Sequence, residues 1–405
     1  MATITSVRAT NFLSLQNVTL PLKALNVLVG PNGAGKTNLL KLFQFLGEVA
    51  RSDLVPAIDA FGGFSNVRFR GEGSKSRLVG VEISGVVTRY ASSNAPDHYS
   101  LRFWENTYYR GPDRPRVRAI QRNESIMLKR TAGRGRRIEL TGGSFEVADT
   151  TPGRGDSTTD KVSVQPSSSG LAILRRLGKQ YDAGQVEELA EIFEDLRLFE
   201  VDVEAVRKPT STEEAWRLRP DASNLAAFLL WMRGESSHSF DTLCEDVKYV
   251  LPGFEGFVFT ELGGSNNSIR LDIKEQHLEG TTPLARASFG TIRSIALFAM
   301  LHDPSPPKLT CLEEVDHGLH PYALDRLVDR LREASEKTQI IVATHSPALI
   351  NRLTPEDLVV FERDERTGGT RIVDLKPGLV RKMQQNSGYG LGELWFSGSL
   401  GGVPS

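Results

Sequence analysis

A chain of 405 residues is long enough to bury a large core without disulfide staples, and at ordinary domain sizes it divides into two or three structural units. Its 49 Lys and Arg against 50 Asp and Glu leave a formal charge of -1, which excludes a global field driving the chain onto nucleic acid or an anionic membrane. A composition 39% hydrophobic and 24% charged excludes wholesale disorder, and two distant cysteines, Cys244 and Cys311, supply neither a disulfide framework nor a cysteine zinc site.

In chain order, residues 1–8 alternate polar and apolar side chains without the basic segment and apolar core of a secretory signal. The expectation is one cytoplasmic compartment and no membrane partner. The apolar run Leu25–Val29 is rich in β-formers and stops at Gly30-Pro31-Asn32-Gly33, which predicts a buried strand entering a loop. Leu39, Leu40, Leu42, Phe43, Phe45 and Leu46 then predict a helix over 37–49 that starts inside the glycine-rich loop. From about 60 to 280, glycines and short β-like runs at 78–88, 99–104 and 137–140 alternate with polar turns, the pattern of a sheet.

Residues 147–170 are dense in Ser, Thr, Gly, Asp and Pro, which predicts a mobile connector. Residues 182–204 hold nine carboxylates and one Arg, with Val186, Leu189, Ile192, Phe193 and Leu196 at helical spacing, which predicts an amphipathic helix with a solvated acidic face. The last third predicts helix 291–301, strand 308–312, helix 322–335 and strands 339–343 and 358–361, the alternation of a mostly parallel sheet covered by helices. No heptad run persists, so a compact inserted region is expected rather than a long coiled coil.

Four short segments carry chemistry. Residues 30–37, GPNGAGKT, match GxxxxGK[ST]: glycines let backbone N–H groups close around a phosphate, and the helix start adds positive potential. Lys36 would reach the β- and γ-phosphates and Thr37 would ligate Mg²⁺. The apolar strand 308–312 delivers Glu313 and Glu314 at its C-terminal end, where open α/β sheets bind ligands. Strand neighbours point to opposite sides, so Glu313 would serve Mg²⁺ while Glu314 orients and deprotonates water. His345 ends a second apolar strand and could contact the γ-phosphate; taken singly it is better explained as a packing or capping residue. Ser288 and Gly290 open the helix at 291, an anion site in this context and an ordinary N-cap when taken singly.

Order and spacing join these segments. The chain resembles the ABC-type ATPases, within them the branch that includes SMC and RecF heads, and more closely the bacterial predicted ATPases of the AAA_21 type related to the OLD family. The residues that carry the resemblance are Asn11-Phe12, LNVLVGPNGAGKTNLL at 25–40, DASNLAAFL at 221–229, LPGFEGF at 251–257, EEVDHGLHP at 313–321, ATHSP at 343–347 and LGELWFSGSLGG at 391–402.

The resemblance implies an α/β fold: an ABC-type ATPase head with a mixed, mostly parallel sheet, an N-terminal antiparallel β subdomain and an inserted α+β lid. Residues 1–60 and 281–405 would form the two parts of the head and 61–280 the lid. It further implies that Asn32, Gly33, Ala34, Gly35, Lys36, Thr37 and Asn38 hold ATP as a Walker A loop. Thr37 and Glu313 would hold Mg²⁺, Glu314 would act as base, Ser288 and Gly290 would form the signature, 318–321 the D-loop region and His345 the switch histidine. Phe289 departs from the small or acidic signature residue of the family, and Val315-Asp316-His317 stands where Pro-Glu-Asn is usual.

In such heads the signature of one subunit completes the ATP site of another, so the implied assembly is an ATP-dependent homodimer or a higher homo-oligomer. Two functions are consistent with this: an ATPase switch in DNA maintenance, repair or anti-phage defence, or an ATP-gated scaffold or sensor controlling a separately encoded effector. Residues 110–137 carry ten Lys and Arg and two acids, preceded by Trp104, Tyr108 and Tyr109. They read either as a phosphate-contacting surface for DNA, or as a solvated loop or a patch docking on the acidic 182–204 stretch of the same or another chain.

Overall fold

The computed structural model describes residues 3–71, 77–108, 117–130, 135–149, 162–177, 184–213, 215–263 and 268–402. Two compact units emerge. One comprises residues 1–196, 359–375 and 401–405, the other 197–358 and 376–400.

The first unit is built on an eight-stranded antiparallel sheet. Its spatial order is Leu15–Pro21, Thr3–Phe12, Val79–Val86, Asp97–Tyr108, Val117–Leu128, Arg136–Thr141, Ser144–Asp149 and Val162–Ser163. Alternation along each strand sets one face inward: Val79, Val81 and Ile83, like Tyr99, Leu101 and Phe103, are buried. Against this face lies the helix Lys36–Arg51, whose Phe45 ring stacks on Phe103 at 5.5 Å and tilts against Phe12 at 5.4 Å. Each such aromatic burial contributes about 2–3 kcal/mol, so the helix carrying the lysine is anchored by its apolar stripe. The strand Leu25–Val29, buried at all five positions, feeds this helix. It lies beside Leu358–Arg363, which pairs antiparallel with Thr370–Val373.

In the second unit, strands Arg197–Phe199, Leu309–Glu313 and Gln339–Thr344 run parallel. Parallel neighbours require a crossover, and the helix Ala323–Ser335 supplies it between the last two. The helix Phe289–Leu301 is buried from Ser294 to its end, as the apolar run there demands, while its start is exposed at Phe289. A small antiparallel sheet pairs Ser268–Glu275 with Phe254–Leu262, Thr210–Ser211 and Thr282–Pro283. Three helices meet at Asp246, fully buried on Ser237–Val250. It accepts from His302 at 2.6 Å and from Arg330 at 2.6 and 3.2 Å, with Arg326 at 2.9 Å. Burial pushes this carboxyl up, but the hydrogen bonds from His302 and Arg330 outweigh it and the net shift is downward. Asp246→Ala strands these cations around an apolar side chain and is expected to cost roughly 3 kcal/mol, read as a lower urea midpoint at unchanged slope.

Two expectations change. The acidic helix over 182–204 is shorter, Gln185–Glu194, because Arg197 enters the parallel sheet and is buried against Asp303 at 3.0 Å. Its acidic face is also not wholly solvated, since Glu188 accepts from the backbone and side chain of Arg89 at 2.7 and 3.0 Å. The connector at 147–170 narrows as well: Ser144–Asp149 and Val162–Ser163 are strands and Gly170 opens a helix, while 150–161 lie outside the described residues. Among the described residues no helix is long and apolar enough to cross a membrane.

Candidate functional site

In the first unit the loop after Leu25–Val29 turns through left-handed glycines, with φ of 80° at Gly33 and 107° at Gly35. Gly35 is obligatory on two counts. That φ suits only glycine, and a Cβ there would run into the Thr370 hydroxyl. Ala34 and Lys36 are buried, Asn32, Gly33 and Thr37 are exposed, and Asn38 is half-buried. The Lys36 ammonium folds back into the loop, donating to the carbonyls of Gly30 at 2.6 Å and Pro31 at 3.0 Å. Thr37 stands at the amino end of a 16-residue helix, where N–H groups point outward and the dipole favours anions.

Sequence reasoning missed what braces this loop. The Thr370 hydroxyl donates to the Ala34 carbonyl at 2.8 Å, Ser14 and Thr370 share a hydrogen bond of 2.7 Å, and the Asn38 amide donates to Ser14 at 2.7 Å. Ser14 and Thr370 are 356 positions apart, and nothing local in the sequence distinguishes them from other hydroxyls.

The second unit holds Ser288, Gly290, Glu313, Glu314 and His345. Glu313 is the last residue of the strand Leu309–Glu313 and is half-buried. Glu314 has left the strand, which corrects the expectation of two strand neighbours facing opposite sides. Its φ is 49°, a left-handed conformation costing a residue with a Cβ about 1–2 kcal/mol. Its N–H still donates to Ala343 at 2.9 Å, its carbonyl accepts from His317 N at 3.0 Å and from the Arg293 guanidinium at 3.1 Å, and its carboxylate is half-exposed. His345 Nδ1 stands 3.5 Å from one carboxylate oxygen and His317 Nδ1 3.8 Å from the other. These separations suit a bridging water or an ion pair better than a direct hydrogen bond. Burial pushes the Arg293 guanidinium below its ordinary value, though an arginine remains charged.

Ser288 is an N-cap whose hydroxyl accepts from Thr291 N at 3.1 Å. Phe289 follows, exposed, and Gly290 packs against Gly318 so closely that a Cβ would meet the Gly318 carbonyl. His317 and Arg293 are the residues the sequence reading did not place beside Glu314. Arg293 had a usable signal as the single charge in an otherwise apolar helix.

Among the described residues of the basic stretch three cations pair internally, while Arg118 and Lys129 are exposed. Arg122 is fully buried beside Glu124 at 3.7 Å, Arg130 pairs with Asp97 at 2.8 Å, and Arg136 with Asp149 at 3.4 Å. Glu124 also accepts from Tyr99 at 2.9 Å, Ser169 at 2.8 Å and Gly170 N at 2.6 Å. Burial nonetheless pushes its carboxyl up. Tyr109 and residues 110–116 and 131–134 lie outside the described residues.

The fold has solved counterparts. The structure of an SMC head bound to the C-winged helix domain of ScpA matches with a TM-score of 0.55 at 14% identity, covering 94% of this chain and 99% of that one. An SMC head from Thermotoga maritima matches at 0.44 and 15% identity, with 92% and 99% covered. One from Pyrococcus furiosus, with an extended coiled coil and bound to the C-terminal domain of ScpA, matches at 0.48 and 14%, with 96% and 100% covered. The first of these matches gives the chain the mixed α/β fold of an SMC head. A search of curated proteins finds no match. The family described as "AAA domain, putative AbiEii toxin, Type IV TA system" matches residues 25–103 and 155–351, well over half of the sequence, and the chain belongs to this AAA_21 family.

Proposed function

We propose that the protein binds Mg²⁺ and ATP, hydrolyses the nucleotide, and pairs with a second copy while ATP is held. The observation that carries this reading is the loop from Gly30 to Thr37: left-handed glycines, a lysine folded inside, and the amino end of a long anchored helix. Lys36 and the backbone N–H groups of 32–38 would hold the phosphates. The Thr37 hydroxyl and Glu313 carboxylate, both hard oxygen donors, would hold Mg²⁺, which would supply positive charge to the phosphates. Glu314 would take the proton of the attacking water, His345 would face the γ-phosphate, and Ser288 with Gly290 would meet the nucleotide of the second copy.

The family description, with its toxin of a toxin–antitoxin system, supports a switch in defence over one in general DNA maintenance. The second reading is an ATP-gated scaffold for a separate effector. In the basic stretch Arg122, Arg130 and Arg136 are paired within the chain, and Arg118 and Lys129 are exposed cations that a DNA backbone could meet.

Size-exclusion of the full chain with Mg²⁺ and ATP, with ADP, and with neither is expected to show a dimer only with ATP, sharpest in Glu314→Gln. An elution position indifferent to ATP in that variant would remove the dimer switch. A DNA duplex added at low and high salt divides the two roles: a salt-steep shift supports DNA, no shift the scaffold.

A further inference from the structure

We propose that Phe289, His317 and Arg293 form a relay within one chain that converts engagement of the helix start at 288–290 into alignment of Glu314. Phe289 is the side chain that is touched, and His317 and Arg293 are positioning residues. The relay rests on the reading of Glu314 as base and of 288–290 as the surface met by a second copy of this chain.

The two segments cannot move independently. A Cβ on Gly290 would meet the Gly318 carbonyl, and one on Gly318 would come within 3.3 Å of the Gly290 Cα, so the helix start and the turn after Glu314 lie backbone against backbone. Across this contact Phe289 presents an exposed ring whose inner side is occupied. Its centroid is 5.6 Å from the His317 imidazole, and the Arg293 guanidinium carbon is 5.5 Å from it. Both partners also reach Glu314, His317 at the carboxylate, 3.8 Å away, and Arg293 at the carbonyl, 3.1 Å away. A load on one ring therefore bears on both the side chain and the main chain of the same glutamate.

Glu314 is suited to be moved. Its left-handed backbone is held by surrounding contacts rather than by its own preference, so its orientation depends on those contacts being kept. The carboxylate stands 3.5 and 3.8 Å from two imidazoles, distances at which it is steered without being locked. A second copy closing on Phe289 would tighten this geometry, and the base of one site would respond to the nucleotide of the other.

Steady-state ATPase kinetics on the full chain test the relay through Phe289→Ala, His317→Ala, the double variant, and the conservative Phe289→Tyr and His317→Gln. Each alanine is expected to lower kcat roughly tenfold with KM changed less than about twofold, and the double variant to fall no further than either single. Phe289→Tyr should restore most of the rate. Multiplying effects in the double variant, or wild-type kcat in His317→Ala, would overturn the relay. Sizing Phe289→Ala in a Glu314→Gln background should retain the ATP dimer; losing it would place the residue's effect in docking alone and also overturn the relay. Both side chains are exposed, so the variants should melt with the wild type, and His317→Gln replaces His317→Ala should that one unfold early. Glu314→Gln is the reference. If it still turns over ATP, the base reading itself fails; if it is inactive while His317→Ala is unimpaired, only the relay fails.

Discussion

Glu314→Gln is expected to keep ATP and Mg²⁺ bound with affinity within a few-fold of wild type while kcat falls by about 10²–10⁴, the range a positioned general base supplies. The substitution preserves length and shape, and the two features that hold the main chain, Glu314 N to Ala343 and the Arg293 donation to its carbonyl, do not involve the carboxylate. Glutamine meets the same left-handed cost as glutamate, so the backbone stays where it is. What disappears is an acceptor for the proton of water. Single-turnover hydrolysis with excess enzyme separates this chemical loss from slow product release, and an undiminished single-turnover rate would remove Glu314 from the base position. The same variant should accumulate in the ATP-bound dimer, since the step that would separate the copies is the one it lacks.

The parts legible in the sequence were those whose cause is local. Strand Leu25–Val29 and helix Lys36–Arg51 follow from a continuous apolar run, a glycine-rich stop and a 3.6-residue stripe, and the structure keeps them with bounds shifted by a residue or two. The strands ending at Glu313 and Thr344 were legible for the same reason. The acidic segment was misread past Glu194 because Leu196 continued the helical spacing. The competing pull on Arg197 comes from Asp303, 106 positions away. Distance in sequence likewise hid Ser14 and Thr370.

Glu314 was singled out by type and spacing, but its left-handed turn depends on Ala343, Arg293 and His317 acting together, and no window around residue 314 contains them all. In the basic stretch it is the pairing that was hidden. Ten cations in 28 positions suggest a surface, yet β pleating turns Arg122 inward, where Glu124 and the Ser168 carbonyl receive it.

Lys36→Ala should weaken nucleotide binding roughly 100-fold where Glu314→Gln preserves it, and the contrast between the two variants separates holding from hydrolysis. In the loop the ammonium sits within 3.0 Å of two carbonyls, so its charge is presented at the inner side of the turn rather than to bulk water. A charge-assisted hydrogen bond from such a buried cation to a phosphate is worth about 3 kcal/mol, which corresponds to roughly a 100-fold weaker Kd once it is gone. The loop should survive the change. Its left-handed glycines, the Thr370 donation to Ala34 and the Asn38–Ser14 bond are independent of the lysine, and the helix behind it is anchored by Phe43, Phe45 and Leu46. Thermal melting should therefore move little without nucleotide, while the upward shift needs roughly 100-fold more ATP than in the wild type, because a ligand's stabilisation of the folded state is set by its concentration relative to Kd. An upward shift at wild-type ATP concentrations in Lys36→Ala would show that phosphate is held elsewhere, and would withdraw the loop from the centre of the mechanism.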